Sequence, residues 1–216
     1  MEIKETSLKN IEELKNKQTS FIIGLSIWNS YFNPENLKKL IFWADSFAKS
    51  IYIMIPDEPM ISTMMACGYN HKKAIEKSRT KANGLQNKCS SIIDEFDIKN
   101  IRIIRWKDIK DNPYYLDALN QITFLYDFDQ NFKCLVQNTT KGVIFGHTKK
   151  EVSIEQINIG VNFLFQELAF ILYSTVILNE LKTLYVYKST MELIKEIING
   201  NYTFTAKPDV NFITVE

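Results

Sequence analysis

Two polar side chains follow an apolar run near the start of the chain, in a place where they could do chemistry. Residues 21–27 read FIIGLSI, and Ser26 and Asn29 stand where this run passes into a helical pattern. A serine hydroxyl can act as a nucleophile, and an amide can orient a reacting group. In open α/β sheets, ligands bind beyond the carboxyl ends of the strands, where these residues would lie. The alternative is that both side chains only cap the following turn or helix.

A carboxylate in an apolar helical segment is the second candidate. Glu167 lies within FLFQELAFIL, which is apolar on almost every face of a helix. Burial of a carboxylate is costly unless the group is paired or used, so Glu167 is a candidate functional residue. An ion pair with a buried Lys or Arg is the alternative.

Several common chemistries lack their motifs. GLSIW has no second glycine of the G-x-S-x-G pattern, and the two histidines lie in a basic helix (His71) and a polar loop (His147), which disfavours a Ser-His-Asp triad. Phosphate-binding glycine loops and metal-ligand spacing are absent, so no cofactor and no metal are predicted. The three cysteines have no CxxC spacing and indicate a reducing compartment, with structural roles for Cys67, Cys89 and Cys134.

A long helical pattern carries a one-sided basic face. At roughly 100° per residue, four lysines share an arc of about 80°, namely Lys73, Lys77, Lys81 and Lys88. Residues 71–88 contain six Lys or Arg and one acid, Glu76, a local charge of +5 in a chain of +1. A solvated helix face is the ordinary explanation, but such a face is usually balanced by acids. The imbalance favours contact with a phosphate backbone.

These residues need a scaffold of alternating strands and helices. Three β-branched apolar runs predict strands buried on both faces, at residues 21–27, 51–56 and 101–106. Helical patterns separate them, one starting at Asn33 (N-cap) and Pro34 and one over residues 69–96. This order predicts a single Rossmann-like α/β domain, with a mainly parallel sheet and helices on both faces.

The second half is richer in helix. One helix is predicted over residues 112–139, and another opens with a capping box formed by Ser153 and Gln156. Residues 161–178 could be mistaken for a membrane span, but a buried helix is predicted because the run contains Asn162, Gln166 and Glu167.

The C-terminal part continues with a buried strand over residues 183–187. A short helix is predicted to follow, with a capping box of Ser189 and Glu192 and a stop at Gly200. Residues 201–216 are predicted as strand and loop.

The whole chain has the composition of a globular protein. Its 216 residues are 45% hydrophobic and 24% charged, which suits one domain. Residues 1–18 are charged and lack the apolar region of a signal peptide, so a cytoplasmic protein without membrane association is predicted. The chain divides into this charged N-terminal segment and a Rossmann-like catalytic domain, residues 19–216.

Together these features resemble a known family. GLSIWNSYF is similar to the signature of cyclodipeptide synthases: Gly, an apolar residue, Ser, two variable residues, then Asn-Ser-Tyr-Phe. Further similarities follow in the family's order over residues 19–198: NPYY ending at Tyr115, the helix around Glu167, and VYK at Tyr187. The family resembles the catalytic domain of class I aminoacyl-tRNA synthetases without its ATP-binding motifs. Its members take two aminoacyl-tRNAs and release a cyclic dipeptide.

The resemblance implies a role for each candidate. Ser26 would accept the first aminoacyl group as an acyl-enzyme, and Glu167 would hold its ammonium group and help to deprotonate an amine. Tyr187 would relay protons, Asn29 would orient the acyl group, and Tyr115 would line the catalytic centre. The tRNA would contact Lys73, Lys77, Lys81 and Lys88.

The chain departs from the family pattern near the amino-group site. Phe163 stands where a Tyr is usual, Lys188 stands where His or Pro is common, and Ala169 replaces a frequent Pro. We group Phe163 and Lys188 with the substrate-binding residues, together with Gly24, which is the first residue of the signature. The first amino-acid pocket would be lined by Ile22, Met54, Trp106, Phe170 and Tyr185. Three aromatic rings there predict a small or flat amino-acid side chain.

Two other functions stay open at this point. In a noncatalytic tRNA- or RNA-binding Rossmann module, Ser26 would only cap a helix and Glu167 would be ion-paired. A serine esterase would act on small esters without tRNA. The family also suggests a monomer.

Overall fold

The computed structural model describes residues 1–189, 191–204 and 210–216. At its centre is one sheet of six strands, which are β1 (Ile3–Thr6), β2 (Ser20–Gly24), β3 (Ile51–Ile55), β4 (Ile101–Arg105), β5 (Thr183–Tyr187) and β6 (Val210–Val215). Their order is β1-β6-β5-β2-β3-β4. Strands β2 to β6 pair in parallel, and β1 pairs antiparallel with β6. The predicted Rossmann-like single α/β domain with a mainly parallel sheet is confirmed.

Eight α-helices surround the sheet within the described ranges. They are α1 (Pro34–Phe47), α2 (Pro59–Ala66), α3 (His71–Glu95), α4 (Pro113–Phe128), α5 (Gln130–Thr148), α6 (Ile154–Leu172), α7 (Ser174–Leu178) and α8 (Glu192–Ile198). Short 3₁₀ turns cover Ile11–Asn16 and Trp106–Asp108. In the part of the chain that the structure describes, none of the helices has the length and apolar character needed to cross a membrane.

Alternate strand residues supply two hydrophobic cores. Phe21 and Ile23 of β2 face the core formed with α1 and α3. Ile22, between them, faces the larger core with α4, α5 and α6. All three side chains are almost completely buried. This alternation is why the strands read as continuous apolar runs, and it confirms that helices cover both faces.

Local signals explain where the first crossover begins. Strand β2 ends at Gly24, and a turn follows in which the Asn29 N–H donates to the Ser26 carbonyl at 3.1 Å. Helix α1 starts with Asn33, whose side chain accepts from the Asn36 N–H, and with Pro34 in its first turn, as predicted. Ser26 therefore lies outside the cap of α1.

Three predicted helical features differ from the structure. The single helix expected over residues 112–139 is two helices, because Asp129 ends α4 and its carboxylate accepts from the Phe132 N–H to start α5. Helix α2 was not predicted, although Pro59 opens it. The capping box of Ser189 and Glu192 was wrong, since Met191 is the N-cap of α8 and makes no side-chain cap bond.

Other boundaries agree with the sequence. The Ser153–Gln156 capping box opens α6, with both reciprocal hydrogen bonds present. Gly200 follows α8 with φ +80°, a left-handed conformation that suits glycine. The N-terminal segment contributes β1 to the sheet. Residues 205–209 of the tail lie outside the described residues, and β6 follows them.

Candidate active site

A cavity of about 250 Å³ opens beyond the carboxyl ends of β2 and β5. Its wall includes Ser26 from the β2–α1 loop, Glu167 from α6 and Tyr187 from the end of β5. Helices α2 and α5 close the other side with both apolar and polar side chains. This is the edge of the sheet where open α/β folds place ligands. The structure thus brings the two sequence candidates, separated by 141 positions, to one cavity.

Ser26 lies beside two other polar side chains. The Tyr187 hydroxyl is close enough to the Ser26 and Asn29 side chains for both to lower its pKa. The Asn29 Oδ1 atom accepts from the Tyr31 N–H at 3.0 Å, which leaves the amide nitrogen to face the tyrosine. Asn29 therefore stabilises the loop that carries Ser26.

Tyr187 keeps its proton at physiological pH. Burial, followed by the nearby negative charge of Glu167, raises the pKa of Tyr187 to about 12, although the neighbouring polar side chains of Asn29 and Ser26 oppose this. A protonated phenol can accept from Ser26 while it donates elsewhere. It is therefore suited to relay a proton rather than to act as a permanent base.

The Glu167 carboxylate receives one hydrogen bond, from the Tyr185 hydroxyl at 3.2 Å. Burial raises the pKa of Glu167 to about 7, and the tyrosine bond partly opposes the shift. Glu167 has intermediate exposure and lines the cavity, whose wall is mainly apolar. The ion pairs found among the described residues do not include Glu167. A cationic group entering the cavity would supply the missing charge.

Gly24 and Tyr185 approach each other closely. A Cβ atom at Gly24 would clash with the Tyr185 hydroxyl and lie 2.6 Å from its Cζ atom. The glycine thus makes room for the ring that donates to Glu167. Burial and the Glu167 charge raise the pKa of Tyr185 well above its ordinary value, so this donor stays protonated.

Most of the predicted amino-acid pocket lies beneath the cavity. Tyr185 lines the cavity, whereas the other four members are buried in the adjoining core, namely Ile22, Met54, Trp106 and Phe170. Tyr115 is also buried in that core, where its hydroxyl accepts from Trp106 Nε1 at 3.2 Å. Burial raises the pKa of Tyr115 to about 12. Contact of these residues with substrate stays a prediction.

Two of the three departures from the family pattern, Phe163 and Lys188, occupy different places. Phe163 is half-buried and lines the cavity one helical turn before Glu167. Lys188 is exposed, and its ammonium lies 5.5 Å from the centre of the Tyr31 ring. Phe163 can therefore touch a ligand in the cavity, and Lys188 borders the loop that carries Ser26.

Part of the wall was missed by sequence reasoning. Thr140, Ile144 and His147 of α5 line the cavity, together with Gly160 of α6. The prediction of a polar loop at His147 was wrong, because the residue lies in the last turn of α5. Spacing of three and four residues was the available signal: 140, 144 and 147 share one helix face, and 160, 163 and 167 share another.

The predicted basic face lies on the surface of α3. Lys73, Lys77, Lys81 and Lys88 are all exposed. Helix α3 follows α2, which packs against α6. The basic face thus lies beside the elements that form the cavity.

Comparison with known proteins gives the same family as these residues. The sequence profile of the family "Cyclodipeptide synthase" matches residues 6–216. The chain is 28% identical to the cyclo(L-leucyl-L-leucyl) synthase of Staphylococcus haemolyticus (strain JCSC1435), covering 95% of this chain and 90% of that protein. It is 21% identical to a Bacillus subtilis (strain 168) protein of the same name, covering 99% of this chain and 89% of that protein.

Solved structures agree. A cyclodipeptide synthase from Staphylococcus haemolyticus is similar with a TM-score of 0.87 and 26% identity, covering 99% of this chain and 98% of the other. A Mycobacterium tuberculosis protein, described as related to type I tRNA synthetases, has the same fold, with a TM-score of 0.78, 16% identity and coverage of 93% and 86%. With the profile matching nearly the whole sequence, the chain belongs to the cyclodipeptide synthase family of enzymes.

Proposed function

We propose that this enzyme takes aminoacyl groups from two aminoacyl-tRNAs through an acyl-enzyme on Ser26 and releases a cyclic dipeptide. The supporting observation is the arrangement of Ser26, Tyr187 and Glu167 around one cavity. A nucleophile, a proton relay and an unpaired carboxylate are the groups that such a reaction needs.

The first step forms the acyl-enzyme. The Ser26 hydroxyl oxygen attacks the ester carbonyl of the first aminoacyl-tRNA, and the bond from that carbonyl to the tRNA ribose oxygen breaks. The serine proton passes through Tyr187 to the departing ribose oxygen, so the tRNA leaves with a free hydroxyl. Because the substrate is already an activated ester, a histidine base is not required.

Glu167 then acts on the amino group of the acyl-enzyme. Its carboxylate holds the ammonium group, and a carboxyl with a pKa of about 7 can take the proton from it near neutral pH. The free amine attacks the ester carbonyl of the second aminoacyl-tRNA, and the bond from that carbonyl to the ribose oxygen breaks. The proton that the attacking nitrogen loses passes to the ribose oxygen, so the second tRNA leaves with a free hydroxyl and a dipeptide stays on Ser26. Glu167 releases its own proton to solvent and is ready to deprotonate the terminal amine of the dipeptide.

Ring closure ends the reaction. The terminal amine of the dipeptide attacks the ester carbonyl at Ser26, an amide bond forms, and the bond to the serine oxygen breaks. The proton of the amine returns to Ser26 through Tyr187. The product is a cyclic dipeptide, and the enzyme is restored without any external energy source.

The cavity supports an aliphatic amino-acid side chain. Two of the three aromatic rings on which the small or flat preference depended, Trp106 and Phe170, lie beneath the cavity. The wall combines four phenylalanine and tyrosine rings, including Tyr185, with a larger number of aliphatic and methionine side chains, among them Leu25, Met60, Ile144 and Leu164. The relatives named cyclo(L-leucyl-L-leucyl) synthase support leucyl groups as the first donors to test.

The test is mass spectrometry after the protein is mixed with total tRNA charged with all amino acids. We expect a cyclic dipeptide from the wild-type chain and from Ser30→Ala, a matched serine in the same loop that is exposed. Ser26→Ala should give no product and no aminoacyl adduct in the intact protein mass. Product formation by Ser26→Ala would contradict the acyl-enzyme. Binding of tRNA without any product or adduct would favour the noncatalytic module.

A further inference from the structure

We propose that three aromatic side chains, Trp28, Tyr69 and His147, form an aromatic platform that stacks with the unpaired bases at the 3′ end of the tRNA. The proposal rests on the tRNA-dependent reaction proposed above. It assigns a binding surface between the basic face of α3 and the cavity that holds Ser26.

The three rings lie close together at the mouth of the site. The Trp28 and His147 rings are stacked, with centroids 4.4 Å apart and planes inclined by 26°. The Tyr69 ring packs against Trp28 at an inclination of 55°, with a centroid distance of 5.9 Å. Trp28 and Tyr69 are half-buried, and His147 is exposed, so ring surface is available to a ligand.

The platform borders two open depressions and the cavity. His147 lines the cavity together with Ser26, and it also lines an outer depression together with Trp28 and Tyr69. Tyr69 in turn borders a depression that contains Lys73 and Lys77. A continuous path therefore leads from the lysines of α3, over the rings, to the nucleophile.

The charge around the platform suits a nucleic acid strand. The Lys77 ammonium lies 5.1 Å from the centre of the Tyr69 ring. Lys150 and Glu151 border the outer depression, and Lys73 and Glu76 border the next one, so with Lys77 the lysines outnumber the acids. Desolvation of the ring and the positive charge of the neighbouring Lys149 lower the pKa of His147.

The chemistry of the substrate matches this path. The reactive ester of an aminoacyl-tRNA is on the terminal ribose of a short single strand that extends from a base-paired stem. The phosphates of the stem attract lysines, and unpaired bases gain affinity by stacking on aromatic rings regardless of their identity. A strand that stacks on the platform would direct its terminal ester towards Ser26.

The test uses uncharged tRNA with the fluorescent base 2-aminopurine in place of the terminal adenine. Stacking quenches this fluorophore, so we expect quenching when the wild-type protein binds. Tyr69→Ala and His147→Ala should each remove most of the quenching and weaken binding about fivefold or more, the lower range for loss of one stacked base. Tyr69→Phe should retain both because it keeps the ring.

A control variant separates the platform from any exposed ring. Phe128 on α4 is 75% exposed and lies outside the cavity wall, so Phe128→Ala should bind and quench as the wild type does. Quenching that persists undiminished in Tyr69→Ala and His147→Ala would overturn the proposal, as would an equal loss in Phe128→Ala. Because the tRNA is uncharged, failure of the acyl-enzyme chemistry would not affect this result.

Discussion

At the residue scale, Glu167 combines two properties that usually exclude each other. The proposed reaction requires a charged carboxylate to hold an ammonium group, yet the burial of Glu167 favours the neutral form. A pKa of about 7 reconciles them, because the group is neutral in part when the cavity is empty and ionises when a cation arrives. In the empty site, ionisation of Glu167 at high pH therefore lowers the free energy of unfolding.

This cost gives a prediction for Glu167→Gln. The folded pKa is about 7 and the ordinary value is 4.5, so the stability gained from the neutral carboxyl is complete below pH 4.5 and lost as the pH rises through 7. Glutamine cannot ionise, so the variant should become the more stable protein at pH 8, by at most on the order of 3 kcal/mol. Urea unfolding at pH 5 and pH 8 measures this; a difference that does not grow between them would contradict the raised pKa. The variant should also lose product formation.

Gly24 supports the same carboxylate from the other side of Tyr185. Gly24→Ala should push the ring away, break its hydrogen bond to Glu167 and destabilise the fold by about 1–3 kcal/mol. Gly84→Ala in α3 is the matched control, because a Cβ there meets no atom within 4 Å and alanine favours helix by about 1 kcal/mol. The midpoint temperature of thermal unfolding and the rate of product formation should fall only for Gly24→Ala. Equal behaviour of the two variants would refute the close approach as the cause.

At the element scale, one ion pair ties α3 to two strand ends. Arg105 at the end of β4 donates to the Asp57 carboxylate, with a shortest distance of 2.7 Å, and to Asn83 and Gln86 of α3. Asp57, just after β3, also accepts from the Trp106 N–H at 3.1 Å. The basic helix is thus fixed to the edge of the sheet that borders the cavity.

Loss of one partner of this pair should cost more than loss of both. Asp57→Asn keeps an acceptor for Trp106 but leaves the mostly buried Arg105 charge uncompensated, a cost on the order of 3 kcal/mol. Adding Arg105→Met should recover part of that stability, since no buried charge then remains. Denaturant unfolding of both single variants and the double variant measures the coupling. Simple additivity of the two single effects would contradict it.

The elements also show what sequence reasoning could reach. Apolar β-branched runs predicted β2 to β5, and caps such as Asn33 marked helix starts, because these signals are local. Helix α2 was missed since it has only eight residues, and the α4–α5 boundary was missed because Asp129 alone marks it. Ser26 and Glu167 became candidates because each is a polar side chain in or next to an apolar segment of the sequence. The walls from α2 and α5 depend on tertiary packing, which no local pattern encodes.

At the scale of the whole molecule, the small net charge results from a strongly positive segment in α3 and a net negative charge on the rest of the chain. The chain has a formal charge of +1, and residues 71–88 carry +5, which leaves a net −4 on the rest. A nucleic acid would be attracted to α3 and repelled by the average surface elsewhere. This asymmetry would orient a bound tRNA with its acceptor end near the cavity.

Replacement of the basic face should therefore reduce tRNA binding without harming the fold. Lys73, Lys77, Lys81 and Lys88 are exposed, and the ion pairs of the described residues do not include them, so changing all four to Gln should leave unfolding nearly unchanged. Each phosphate contact contributes about 0.9 to the slope of log affinity against log salt, so loss of four contacts should reduce the magnitude of the slope by about 3.6. The matched control changes the four lysines of residues 1–18 to Gln, which removes the same charge from the N-terminal segment. Fluorescence titration at several salt concentrations compares the two variants. If the slope of log affinity against log salt falls by the same amount in both variants, net charge governs binding rather than the position of α3. The orientation inferred from the basic face would then be wrong.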